Sequence, residues 1–226
     1  MSNSSPNKFK LIFTDSSLVV LSVDLFGTLA VASTPEAPEE QVAYALRERG
    51  VTVSSAFLTE YRSHQFDVHP AVELPLQQHV YAALRRSGSE APIHTVHAAL
   101  LEAFDTPVSE TPICGALLDI VAAIPMRSAI LSNCSLTGLV PQTLDRLGIE
   151  QSLFDVVLSS VDVGVRKPDP RCFDALAASL GVGIQDVIHV GDSPRSDGGI
   201  STAGGRFLHV AGDDWNGLDE LSRMVR

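Results

Sequence analysis

The chain has 226 residues, 45% of them hydrophobic, a formal net charge of −11 and three cysteines. That length fits one ordinary domain, or a core with a modest insertion, and is enough to bury a sizeable core. The acidic balance argues against nonspecific nucleic-acid binding, and no apolar run approaches the roughly 20 residues of a membrane span.

Cys114, Cys134 and Cys172 are odd in number and widely spaced, which points to reduced thiols, not a disulfide framework or a zinc site. The first residues lack the apolar core of a secretory signal, so a cytoplasmic location is the expectation. Only Lys8, Lys10 and Lys167 among the 16 basic residues are lysines, which leaves few candidates for a catalytic ammonium.

In chain order, residues 1–8 read as a tail and 9–14 as a short extra strand. Leu18–Val23 is a continuous apolar run, as a parallel strand buried on both faces should be. Residues 30–112 change character. Apolar residues recur at helical spacing near 38–49, 56–66, 76–87 and 93–104, separated by Gly50, Pro70, Pro75, Gly88 and Pro92. This predicts an inserted all-helical region of about four helices.

From Pro112 an alternation begins. A helix (Ala116–Ile124) leads to a strand (Ser128–Leu131), and a helix (Val140–Leu147) stops at Gly148, a C′ residue. A strand follows (Val156–Ser159). The next helix starts after Asp169 and Pro170, an N-cap followed by an N1 proline, and ends near Gly181. A strand (Val187–Val190), a short helix from Asp197 and a final strand (Phe207–Val210) complete the set. Alternating strands and helices predict an α/β fold with a Rossmann-like, doubly wound parallel sheet.

Open parallel sheets bind ligands at the carboxyl ends of their strands. Four polar signals fall there: Asp24 in Asp-Leu-Phe-Gly-Thr-Leu, Ser132-Asn133, Lys167 in Gly-Val-Arg-Lys-Pro-Asp-Pro, and Gly-Asp-Ser-Pro-Arg-Ser-Asp over 191–197. In order and spacing they resemble the four motifs of the haloacid dehalogenase-like (HAD) hydrolase superfamily. The insertion between the first and second motifs resembles the helical cap of subfamily I. The resemblance implies a catalytic core over 1–29 and 113–226 and a cap over 30–112.

It also implies a chemistry. Asp24 would attack phosphorus and form an aspartyl phosphate. Ser132, Asn133, Lys167 and the turn at Gly27 and Thr28 would hold the phosphoryl group, whose negative charge must be stabilised in the transition state. Asp24, Asp192 and the backbone carbonyl of Phe26 would bind Mg²⁺, with Asp197 supporting that site. The implied substrate is a small phosphorylated metabolite, with no nucleic-acid or membrane partner, and the protein a monomer or homodimer.

Several residues weigh less. Asp15 follows an apolar run but lacks the Gly-Thr that follows Asp24. Arg166 and Arg195 border the site and read as surface charge. His94 and His97 could share a helix face, Cys134 reads as packing, and Phe66 with His69, or Tyr61 with Arg62, could line a cleft.

Phe26 departs from the phosphatase pattern, where a second Asp protonates the leaving oxygen and then activates water. Such help is typically worth about 10²–10⁴-fold. A phosphatase with a reduced or substrate-restricted rate is one reading. A 2-haloacid dehalogenase is another, because those enzymes put an aromatic residue, usually Tyr, at this position and need no Mg²⁺. A phosphonatase would need a cap lysine, and no Lys lies between Leu11 and Arg166. A catalytically weak protein that binds a phosphorylated ligand or a partner is the remaining reading.

Overall fold

The computed structural model describes residues 20–63, 69–123, 126–210 and 215–224. The expected tail (1–8), the expected strand over 9–14, Asp15, the first two residues of the Leu18–Val23 strand, His64 and Phe66 lie outside them.

The elements in chain order are β1 (Val20–Val23), β2 (Ala30–Ala32), α1 (Pro38–Glu48), α2 (Phe57–Ser63), α3 (Leu76–Arg86), α4 (Ile93–Ala103) and β3 (Val108–Glu110). There follow α5 (Cys114–Ala123), β4 (Arg127–Ser132), α6 (Leu139–Arg146), β5 (Val156–Ser159), α7 (Ser160–Val163) and α8 (Pro170–Leu180). The last are β6 (Val187–Gly191), α9 (Ile200–Ala203), β7 (Arg206–His209) and α10 (Asn216–Met224).

Five parallel strands form the main sheet in the order β5-β4-β1-β6-β7. Every residue of β1 is buried, as expected for a central strand covered on both faces. The chain moves outward from β1 to β4 and β5, then crosses back to β6 and β7. The direction of winding therefore reverses around β1, and a crevice opens at the carboxyl ends of β1, β4 and β6.

Alternate residues of the strands feed two apolar layers. Leu21, Val23, Ile130, Ile188 and Val190 pack with Leu117 of α5, Leu144 of α6 and Leu221 of α10. Val20, Ala129, Leu131 and Val187 pack with Phe173 and Leu176 of α8 and Ile200 of α9. The first layer continues without a break into the insertion through Val42, Leu46, Phe57, Val80, Leu84 and Leu100. There α1 packs on α4, and α3 on both α2 and α4.

The four inserted helices form where the 3.6-residue spacing predicts them. The segment is not helical throughout, however. Its two ends are joined by an antiparallel pair, β2 with β3, with Ala30 opposite Glu110. Three-residue strands are too short to show a period-two pattern, so periodicity could not reveal them. The short α7 and the amphipathic α10 were also not foreseen. The final strand runs one residue earlier than expected, from Arg206 to His209. Among the described residues no helix is long and apolar enough to cross a membrane.

Candidate active site

The central strand β1 carries Asp24 to the crevice. The Asp24 N–H donates to the Val190 carbonyl at 2.9 Å and extends the β1–β6 ladder by one bond, which fixes where the carboxylate emerges. Gly27 then turns the chain at φ 92°; a Cβ there would stand 2.4 Å from Asp192 Oδ2. Only glycine lets this loop approach the Asp192 carboxylate so closely. Gly191 has the same function at the end of β6, where a Cβ would meet Asp197 Cγ at 2.3 Å.

The strand β4 ends in Ser132, which is buried, and Asn133. The Asn133 side chain clamps the loop that bears Lys167. Its Nδ2 donates to the Lys167 carbonyl at 2.9 Å, and the Lys167 N–H donates to its Oδ1 at 2.8 Å. Lys167 is itself buried, with 3% of its surface exposed. Its ammonium donates to Asp24 Oδ1 at 2.8 Å, the Leu131 carbonyl at 2.8 Å and Asp197 Oδ1 at 2.5 Å. All three ammonium donors are thus used, which is what a buried lysine requires.

Asp197 is fully buried. Its Oδ2 accepts from the Ser193 N–H at 3.0 Å, and His189 Nε2 lies 3.1 Å from its Oδ1. His189 sits in β6 opposite Ser22 of β1, and its Nδ1 is 2.9 Å from Ser22 Oγ. A neutral imidazole that donates from Nε2 to Asp197 and accepts at Nδ1 from Ser22 satisfies every group in this chain.

The charges follow the burial. Burial lifts the Asp24 pKa above the ordinary carboxylate range, with Lys167 opposing and Asp197 adding. Burial, then the neighbouring Asp197 charge, lifts Asp192 in the same direction. For Asp197, burial works against the charged form, yet the His189 hydrogen bond and the Lys167 ammonium outweigh it and bring the pKa to about 2. For Lys167, burial disfavours the ammonium, but the Asp24 and Asp197 charges win and hold its pKa above the usual lysine value. Burial and the Lys167 charge lower the His189 pKa, which keeps the ring neutral.

Asp24, Asp192 and Asp197 each present an oxygen within 4.8 Å of the others. With all three ionised, one ammonium leaves two negative charges uncompensated, and the Asp197 charge adds to the burial that raises Asp24 and Asp192. An oxygen-only donor set with that excess charge fits a hard divalent cation such as Mg²⁺.

Two cavities open beside this floor. One, of about 340 Å³, is lined by Phe26, Glu73, Asn133, Leu136, Phe104 and Arg166 among others. The second, of about 640 Å³, is lined by His69, Asn133, Arg166, Lys167, Ser193 and Arg195 among others. Arg166 and Arg195 therefore face cavity space, and Arg166 faces both.

Lys167 touches both Asp24 and Asp197, Asp192 lies within 4.8 Å of those carboxylates, Asn133 grips the Lys167 backbone, and Ser132 is buried at the end of β4. Phe26 lines the first cavity and packs against the apolar core. Thr28 is fully buried; its hydroxyl makes no hydrogen bond among the described residues, while its carbonyl accepts from the Thr111 hydroxyl at 2.6 Å. Cys134 is buried and lines the first cavity. Tyr61 stacks edge-on against His79, Arg62 pairs with Glu39, and neither lines these cavities. His97 bonds the Thr137 carbonyl, and His94 is exposed. Asp197 is not the N-cap of a helix, because its carboxylate is consumed by Lys167, His189 and Ser193.

Sequence reasoning missed Ser22, His189 and Glu73. A histidine inside the apolar run Val-Ile-His-Val was a usable signal, as was a serine inside Val-Leu-Ser-Val. Glu73 carried no such signal, because it comes from a loop of the insertion.

A family model for haloacid dehalogenase-like hydrolase matches residues 20–199 of this chain. A phosphoserine phosphatase of Thermus thermophilus is 41% identical over 58 residues. That stretch is 25% of this chain and spans 23% of the curated relative. Among solved structures, a 2-haloacid dehalogenase from Pseudomonas syringae pv. tomato aligns with a TM-score of 0.61 at 22% identity, covering 85% of this chain and 86% of that one. A predicted phosphoglycolate phosphatase from Haemophilus somnus aligns with a TM-score of 0.55 at 17% identity, covering 92% and 99%. At these identities the two structures establish a shared fold.

Proposed function

The chain belongs to the haloacid dehalogenase-like hydrolases, and from that premise we propose that it is a Mg²⁺-dependent phosphatase acting on a small phosphorylated metabolite through an aspartyl phosphate at Asp24. The observation that carries this reading is the convergence of Asp24, Asp192 and Asp197 within 4.8 Å, with the Lys167 ammonium on two of them. A displacement at carbon has no phosphoryl charge for a divalent cation to neutralise, and so no need of carboxylates to hold one. The name of the Thermus relative, a phosphatase, points the same way.

In this reading Asp24, Asp192 and the Phe26 carbonyl hold the cation, and Asp197 supports it. When bound, the cation supplies charge stabilisation at the transferring phosphoryl group. The rest falls to the chain's own residues. The Asp24 carboxylate attacks phosphorus. Lys167, Ser132, Asn133 and the Gly27–Thr28 turn hold the phosphoryl oxygens. His189 and Ser22 orient Asp197, which in turn fixes the Lys167 ammonium. Residues 30–112 act as a cap over the core formed by 1–29 and 113–226, exclude water and select the leaving group.

The test is phosphate release across a panel of phosphorylated metabolites, with Mg²⁺ and with EDTA, and Asp24→Asn as the blank. Release that needs both the cation and Asp24 supports the reading. Phe26 favours one competing reading, a 2-haloacid dehalogenase, since an aromatic side chain cannot assist an ester leaving group. Silence across the phosphate panel together with halide release from 2-haloacids would replace the first reading by the second. Silence in both assays would leave a binding protein.

A further inference from the structure

Glu73 is a buried carboxylate that the scheme above leaves without a task. It is 8% exposed and comes from the segment between α2 and α3. That segment is tied to the core by its backbone. Val72 bridges Val165, Glu73 N–H donates to the Gly164 carbonyl at 3.0 Å, Arg166 N–H to the Ala71 carbonyl at 2.9 Å, and Leu76 N–H to the Ser135 carbonyl at 2.8 Å.

The side chain is placed as firmly. Ser160 Oγ donates to Glu73 Oε2 at 2.6 Å, and Arg166 Nε stands 3.8 Å from the same oxygen. Ser160 Oγ also accepts from the Cys134 N–H at 2.9 Å, beside Asn133, whose side chain grips Lys167. The second oxygen, Oε1, makes no hydrogen bond among the described residues. Glu73 lines the same cavity as Phe26 and Asn133. A carboxylate on a cavity wall, with one oxygen anchored and the other free of hydrogen bonds among the described residues, has the form of a proton-transfer group.

Resting on the phosphatase reading, we propose that Glu73 of the insertion performs the acid–base chemistry that Phe26 cannot. In the first half-reaction Asp24 bonds to phosphorus, the bond from phosphorus to the leaving oxygen breaks, and that oxygen takes a proton from Glu73. In the second half-reaction the oxygen of a water molecule bonds to phosphorus as its proton passes to Glu73 Oε1. The bond from phosphorus to the Asp24 oxygen breaks, its electron pair returns to the Asp24 carboxylate, and inorganic phosphate leaves. Glu73 is then protonated for the next turnover. Because the group arrives on the insertion, proton transfer and docking of residues 71–76 are one event.

Rapid-quench kinetics with p-nitrophenyl phosphate and Mg²⁺ test this. Glu73→Gln keeps an acceptor for Ser160, so the segment still docks. It is expected to release one equivalent of nitrophenolate, accumulate phosphoenzyme on Asp24, and turn over about 10²–10⁴-fold more slowly. Ser160→Ala removes the anchor but keeps the carboxylate. It is expected to lose less rate, chiefly by a higher KM, and to accumulate no phosphoenzyme. Turnover of Glu73→Gln within about threefold of wild type overturns the inference, as do equal losses in both variants without phosphoenzyme, which mark a docking role only. In either case wild-type labelling of Asp24 leaves the phosphatase reading standing. A wild type that neither labels nor releases phosphate overturns both.

Discussion

The carboxyl edge of the sheet and the helical insertion are built on opposite terms. At the sheet edge, Asp24, Lys167, Asp197, His189 and Ser22 form a buried polar network in which one ammonium contacts two carboxylates. The insertion is held by apolar side chains such as Val42, Leu84 and Leu100, and its polar contacts with the core combine backbone bonds over residues 71–76 with scattered side-chain contacts such as His97 to the Thr137 carbonyl. A polar network tolerates no missing member, because each leaves an unpaired buried group. An apolar layer tolerates substitution in proportion to the volume lost.

Asp24→Asn should separate chemistry from architecture most sharply. Turnover should fall by at least about 10³-fold, while circular dichroism and the melting temperature stay near those of wild type; undiminished phosphate release would remove Asp24 from the nucleophile role. Lys167→Ala should cost about 3–5 kcal/mol, because it strands Asp24 and Asp197 without their counter-charge. A urea titration that shows less than about 1 kcal/mol would mean that water or another group takes over, and the contrast with the insertion would collapse.

Leu84→Ala, in the interior of the insertion, should cost about 2–5 kcal/mol through the cavity it leaves. Its kinetic signature should be a raised KM with kcat retained, and an equal loss of kcat would show that the two regions are not separable. Mg²⁺ should stabilise the wild type by about 2.7 kcal/mol at 100 times its dissociation constant. Differential scanning should show that Asp192→Asn loses most of this shift; a full shift in the variant would exclude Asp192 as a ligand. Arg49→Ala, which breaks a pair with Glu102 at the surface of the insertion, should change stability by no more than about 1 kcal/mol in the same titration.

The residues that sequence reasoning found share one property: their signal is local. Asp24 follows an apolar run and precedes a Gly-Thr turn, Asp169 and Pro170 open a helix, and Gly148 and Gly181 follow helix ends. Asp169 does cap α8, accepting from the Arg171 N–H. The residues it missed are defined by neighbours far away in the chain. His189 gains its meaning from Ser22, 167 positions earlier, and Glu73 from Ser160, 87 positions later.

The sequence by itself determined the alternation of strands and helices, the place of the insertion and the order of four polar signals at strand ends. These follow from backbone periodicity and end-capping, which act over a few residues. Only the tertiary structure decided that β1 lies between β4 and β6, that Ser22 and His189 share a register, and that Glu73 reaches the wall of the cavity lined by Phe26. Lateral strand order and loop docking are set by the burial of whole faces against one another, and that is a property of the packed chain, not of any short stretch of it.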